Sequence, residues 1–314
     1  GEGEETFPAL VEALDSGQDA SEIPGLWGAP PRPQADLNAL PDADRTVFRV
    51  ADYHRDHNPQ GRCYTSVVTS RGCNYHCSFC SARDLWGRGQ RTRSPVRVVD
   101  EWRRLYVDHH VDALLIEDDL FTQKESHVRG ICEAILKTKK TPGWELINGV
   151  RPETLTPDLL SLMAAAGCRR IALSIETANP SHLKSMGRAT DLGRVETVAR
   201  AAQRYGIGVT GYFMVGMPGE TRADRLATFN FARRLKLDMA HFSVASAWPG
   251  TDWTPTELAH VPPLERSALY AAWYLHPTRA LRAAKVLGVG VGDLPRMASR
   301  LMDWMGGPLE ERRR

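Results

Sequence analysis

Between Tyr64 and Ser246 the sequence alternates two kinds of segment, and that alternation limits the folds open to it. Six short runs, YTSVVTS, DALLIED, ELINGV, RRIALSIE, IGVTGYFMVG and MAHFSVAS, have the apolar, β-branched character of buried strands. Between them lie helix-length amphipathic runs: VRVVDEWRRLYVDHH, ESHVRGICEAILKTKK, PDLLSLMAAAG, RVETVARAAQRYG and RADRLATFNFARRLK. Apolar strands spaced by helices imply βαβ units with right-handed crossovers and a parallel sheet. The expected class is α/β, a partial (β/α)6 TIM-like barrel over residues 61–252. An N-terminal linker segment, 1–60, precedes it, and a C-terminal helical region, 253–314, follows. Sites in such sheets lie at the carboxyl ends of the strands, so the chemistry is sought there.

The first strand feeds the stretch Thr69–Cys80, TSRGCNYHCSFC, which places Cys73, Cys77 and Cys80 at C-x3-C-x2-C spacing. Three thiolates this close can hold an iron–sulfur cluster. A cubane has four irons, so three protein ligands leave one iron open. Structural zinc is the rival reading, but zinc sites close with four ligands, and His76 sits too near Cys77 to complete a tetrahedron easily. Disulfides are a weaker reading, since 314 residues carry six cysteines and no recognisable signal peptide. Cys63, Cys132 and Cys168 have no second cysteine at short spacing, and Cys132 and Cys168 read as small buried hydrophobes.

Composition narrows the partners. A hydrophobic share of 42% with 25% charged residues describes an ordinary globular chain. A net charge of +2 leaves no footprint for nucleic acid or an anionic membrane. No run approaches the ~18 apolar residues of a membrane span. The chain starts at Gly1 rather than methionine, which reads as a processed, tagged or truncated product.

With aromatic Phe79 just before its last cysteine, the loop resembles the cluster loop of radical S-adenosylmethionine enzymes. The resemblance implies a [4Fe–4S] cluster on Cys73, Cys77 and Cys80, its open iron chelated by the amino and carboxylate groups of S-adenosylmethionine. It implies one-electron cleavage of the sulfonium to a 5′-deoxyadenosyl radical, which takes a hydrogen atom from an unreactive position. It also implies a small-molecule substrate, an electron donor such as flavodoxin or ferredoxin, and a reducing, cytoplasmic setting. Phe79 joins the expected cofactor-binding residues.

The other strand ends supply the rest. Glu117, Asp118 and Asp119 repel one another and ask for a cation, unless they simply start a helix. The family's DD-x-F phrase here implies that Asp118 and Asp119 meet the cofactor's methionine ammonium. Arg151, in Gly149-Val150-Arg151-Pro152, can pair with the cofactor carboxylate in a fork, or lie at the surface. Ser174 and Glu176 share one face of their strand, and the family often has an acid here against the ribose or amino group. In Gly216-Met217-Pro218-Gly219-Glu220-Thr221 the glycines allow close approach to a flat ligand, and Thr221 can cap a helix. A tight Pro-Gly turn explains the same residues without a ligand. The resemblance puts Gly216, Pro218, Gly219 and Glu220 beside the adenine. Trp248, after the sixth strand, reads as core rather than substrate lining. Arg88, Arg91 and Arg93 either hold anionic groups of substrate or cofactor, or lie in a solvated loop. No residue is assigned as catalytic.

The flanks carry a second resemblance. GEGEETF, a helical PALVEALDSG stopped by glycine, and the linker phrases IPGLWGAPPRPQ and LNALPDADRTVF form by themselves a helix and an extended connection. Beside the cluster loop they resemble the joint of cobalamin-dependent radical enzymes, where a GEGE-type turn closes a Rossmann-like cobalamin domain. Cobalamin would then bind through a missing or separate domain. WYLHPTRALR resembles the helices that follow the barrel in that group, His276 reads as structural, and PRMASRLMDWMGG continues the helical pattern. The expected activity is a cobalamin-dependent methyl transfer to an unactivated carbon. The alternatives are a radical cyclase or ring-rearranging enzyme on the same scaffold, and a metal-binding module without turnover.

Overall fold

Each of the six apolar runs forms a strand in the computed structural model, which describes residues 2–30, 34–48, 50, 63–138 and 140–287. In chain order the strands are β1 (Tyr64–Val67), β2 (Ser70–Arg71), β3 (Arg91–Thr92), β4 (Ala113–Ile116), β5 (Gly143–Val150), β6 (Cys168–Glu176), β7 (Gly208–Val215) and β8 (Met239–Val244). One parallel six-stranded sheet runs β1-β4-β5-β6-β7-β8, the open barrel expected. The hairpin β2–β3 was not foreseen and stands apart as a two-stranded antiparallel pair.

The helices are α1 (Thr6–Ser16), α2 (Ala82–Trp86), α3 (Pro95–Val107), α4 (Glu125–Thr138), α5 (Pro157–Ala165), α6 (Pro180–Ser185), α7 (Leu192–Arg204), α8 (Arg222–Arg234), α9 (Pro263–Tyr274) and α10 (Pro277–Leu287). Local chemistry starts several of them. Ser94 and Thr156 accept from the backbone N–H three residues on, each with proline following, and Thr221 forms a reciprocal capping box with Asp224. Such a cap is worth about 0.5–2 kcal/mol. None of the described helices is long and apolar enough to cross a membrane.

The core lies between sheet and helices. Trp102 of α3 meets Trp144 of β5 at 6.1 Å between ring centroids, and Phe121 meets Trp144 at 5.6 Å. All three are almost fully buried, and burying a large side chain contributes about 1.5–3 kcal/mol. Cys132 and Cys168 are buried as expected.

Both sheet edges are covered, which blunts their unpaired backbone groups. On the β8 edge the Tyr270 hydroxyl bonds Phe242 N–H at 2.8 Å, and the Tyr274 hydroxyl donates to Ala240 C=O at 3.0 Å. On the β1 edge Arg45 donates to Ser66 C=O at 3.0 Å. The linker phrase around it is clasped by charge. Asp42 accepts from Arg93, Arg97 and Arg104 of the α3 region.

Two expectations fail here. Arg91 and Arg93 are occupied inside the chain: Arg91 pairs with Glu2, and Arg93 with Asp42 and Glu101, so neither is left for a bound anion. Trp248 is 55% exposed, because the loop after β8 carries it past the end of the sheet. His276 is exposed against Thr278, in keeping with a structural role. The PRMASRLMDWMGG phrase lies outside the described residues.

Candidate active site

The chain leaves β1 into a loop held from beneath by the end of β4. Asp118 accepts from Thr69 N–H, Thr69 Oγ1 and Ser70 Oγ, each at 2.6 Å. It is almost completely buried, and burial pushes its carboxyl up to about 6. Behind it, His127 Nε2 lies 3.0 Å from Thr69 Oγ1, and burial lowers this imidazole to about 4. A neutral ring must donate there, because the Thr69 hydroxyl proton is spent on Asp118. Asp118 was expected at the cofactor; the structure instead commits both its oxygens to the loop.

Its neighbour faces the other way. Asp119 accepts from Gly72 N–H at 2.8 Å and lies close enough to Cys73 and Cys80 to hold their thiols up electrostatically. Asn74 N–H donates to Gln123 at 2.7 Å, fixing the next turn. Cys73, Cys77 and Cys80 then line one small cavity together with His76, Arg83 and Asp252. Burial raises the Cys73 and Cys80 thiols above their ordinary value. Among the described residues no three His, Cys, Asp or Glu side chains converge closely enough for a single metal ion. The donor set of three thiols around one cavity fits a polynuclear cluster better than zinc.

Beside the loop the strand ends enclose a second cavity of about 650 Å³, within the usual range for ligand pockets. Phe79, Ser174, Glu176 and Tyr212 line its upper part, while Arg170 and His241 lie deeper along the strands. Glu176 is 8% exposed and has φ +67°, a left-handed conformation that costs a non-glycine residue about 1–3 kcal/mol. A register shift between Ser174 and Glu176 accompanies it. Burial raises the Glu176 carboxyl, and Arg188 and Arg151 partly offset this.

Arg188 was not anticipated from sequence. It follows α6, donates to Glu176 at 3.3 Å and to Ser174 C=O at 2.6 Å, and its Nε is buried with no hydrogen-bond partner. The same loop touches the cysteine loop through Ser78 and His76. Ser78 N–H donates to Met186 C=O at 3.2 Å, and Gly187 has φ +69° with its Cα facing the His76 carbonyl, where a Cβ would collide. The local cue was Gly187 before an arginine, and no periodicity singles it out.

The fifth-strand turn is built on contacts of its own. Gly216, Pro218, Gly219 and Glu220 do not line the large cavity. Glu220 accepts from Gly216 N–H and pairs with Arg225, which also holds Glu265 of α9. Gly216 has φ +83°, and a Cβ there would meet Val261 and the Ala259 carbonyl. The turn reaches the site through Met217, buried in a small cluster with Leu183, Met186 and Ala245 against which Phe79 packs. Arg151 is not in the large cavity lining; it lies against Cys77 and under the Tyr75 ring.

Comparison with known proteins adds to this geometry. The profile of the radical SAM superfamily matches residues 67–232. An uncharacterized methyltransferase of Pyrococcus horikoshii is 30% identical over 260 residues, covering 80% of this chain and 55% of that protein. An anaerobic magnesium-protoporphyrin IX monomethyl ester cyclase of Rubrivivax gelatinosus is 28% identical over 262 residues, covering 80% and 47%. Among solved structures, the radical S-adenosylmethionine methyltransferase TsrM of Kitasatospora setae, with cobalamin and a [4Fe–4S] cluster bound, matches with a TM-score of 0.66. Identity to it is 22%, and the match covers 80% of this chain and 52% of that one. The chain thus spans about half the length of the curated relatives it matches.

Proposed function

Because the chain belongs to the radical S-adenosylmethionine superfamily, we propose that Cys73, Cys77 and Cys80 hold a [4Fe–4S] cluster and that the adjoining cavity takes S-adenosylmethionine and a small-molecule substrate. The observation that carries this is the convergence of three thiols of one clamped loop on one cavity, with Phe79 of that loop lining the larger one. When bound, the cluster supplies the electron for reductive cleavage of S-adenosylmethionine.

The chain's own residues do the placing. Glu176, held by Arg188, offers a buried carboxylate to the amino or ribose groups of the cofactor. Phe79 and Met214 line the cavity with apolar surface and limit water there. Asp119 keeps the loop backbone in register through Gly72. Arg170, paired with Glu145, puts a polar floor under the substrate space, where a filled barrel would carry branched apolar side chains.

The overall reaction we propose is a cobalamin-dependent methyl transfer, supported by the methyltransferase names of the Pyrococcus and Kitasatospora proteins and the cobalamin in the latter. The cyclase from Rubrivivax favours a second reading, radical cyclisation on the same scaffold. The described residues form one barrel sheet and one hairpin, and we assign the corrin no site among them and derive no step through it. Residues 1–60 are proposed to join the barrel, 61–252, to a corrin-binding unit, with 253–314 a helical cover. Flavodoxin or ferredoxin is the proposed electron donor.

Anaerobic reconstitution tests the proposal. It should yield about four irons per chain and, with reductant, 5′-deoxyadenosine from S-adenosylmethionine. A Cys77→Ala chain that keeps its iron and its cleavage activity would refute it.

A further inference from the structure

Arg151 is a buried cation whose surroundings account for it poorly until Cys77 carries charge. The β5–β6 register breaks between Leu146 and Val150, and Gly149 at φ +89° packs against Ser174 Oγ, which re-aims the residues that follow. The Arg151 carbonyl is then pinned by Thr154, whose backbone N–H and hydroxyl donate to it at 3.1 and 2.8 Å. The guanidinium is thereby carried against the cluster loop. Its Nη1 donates to Cys77 Sγ at 3.4 Å, and the Tyr75 ring covers its face at 3.8 Å.

The residue is 5% exposed, and a guanidinium stays charged in any protein setting. Burying such a charge is costly unless an anion and hydrogen bonds compensate it. The nearest carboxylate, Glu153, stands 3.5 Å from Nε, yet neither Nε nor either Glu153 oxygen makes a hydrogen bond. Arg151 is not a surface arginine, and it stands at the cysteine loop rather than in the lining of the large cavity.

We infer that Arg151, clamped by Tyr75, is a positioning residue for the cluster that donates to the Cys77 thiolate and holds its reduction potential up. The inference rests on the proposed cluster on Cys73, Cys77 and Cys80. A hydrogen bond and a positive charge at a ligand sulfur favour the reduced, more negative form, and hydrogen bonds to sulfur are among the levers that set such potentials. Tyr75 contributes by holding the planar guanidinium in place against the loop through a cation–π contact.

The test is a potentiometric titration of the reconstituted enzyme without S-adenosylmethionine, followed by electron paramagnetic resonance, with iron counted in each sample. R151Q should hold its iron and shift to a more negative potential, R151K should shift less, and Y75L should fall between wild type and R151Q. If R151Q sheds iron, R151K and Y75L carry the measurement. Potentials equal to wild type in the iron-replete variants would overturn the role of Arg151 while leaving the cluster proposal standing. A wild-type chain that assembles no cluster would overturn both.

Discussion

Replacing Asp118 by asparagine separates its charge from its shape. The wild-type carboxyl rises from an ordinary 3.8 to about 6, chiefly because it is buried. That rise corresponds to about 3 kcal/mol between native and unfolded states. The folded value lies above the unfolded one, so the contribution is fully present below pH ~4 and is lost as pH rises through about 6. Roughly 2 of those 3 kcal/mol fall between pH 4.5 and 7.5. Asparagine still offers an oxygen to Thr69 N–H, and its amide can face hydroxyls that rotate to accept. Asp118→Asn should therefore match wild type within about 1 kcal/mol near pH 4 and be the more stable chain at pH 7.5, by up to ~3 kcal/mol. Asp118→Ala should instead lose about 2–4 kcal/mol near pH 4, since it strands the Thr69 N–H and opens a void, and that deficit should shrink by roughly 2 kcal/mol by pH 7.5 because the variant carries no buried charge. Urea unfolding of the cluster-free chain across this pH range measures both. An Asp118→Asn chain whose stability runs parallel to wild type would refute the buried-charge argument. Weakened S-adenosylmethionine binding by Asp118→Asn at full iron would refute the loop-anchoring role.

Three further outcomes are expected. Glu176→Gln should weaken S-adenosylmethionine binding by roughly 1–3 kcal/mol while iron stays bound, because it removes the charge paired with Arg188; calorimetric titration of the reconstituted enzyme measures it. Gly187→Ala meets both a left-handed backbone and the His76 carbonyl, so it should destabilise the chain by about 1–3 kcal/mol and release iron faster to a chelator. Hydroxocobalamin should bind this chain weakly; stoichiometric binding at micromolar concentration or tighter would place the corrin site within these residues and refute the domain proposal.

The strand and helix order, the open barrel and the cysteine loop were all legible in the sequence, because each is written in local chemistry. Buried parallel strands need continuous apolar runs, helices need caps such as Ser94 and Thr221, and the three cysteines stand at close spacing within one loop. Residue type at a strand end singled out Phe79 and Glu176, and both line the large cavity. What local chemistry could not decide was the direction each of those side chains faces. Adjacent Asp118 and Asp119 look equivalent in sequence, yet one is sealed beneath the loop by Thr69 and Ser70 and the other stands beside the cysteines. Arg151 could face a bound carboxylate or the surface, and a register break sets it against Cys77 instead of in the open. Arg188 and Gly187 had no periodic signal at all, and reach the site through contacts with β6 and the cysteine loop. Arg91 and Arg93 were claimed by Glu2 and Asp42, partners about 50 to 90 residues away in the chain. Such pairings depend on a β-bulge, a positive φ or a long-range ion pair, and these exist only once the sheet has closed the distance between segments.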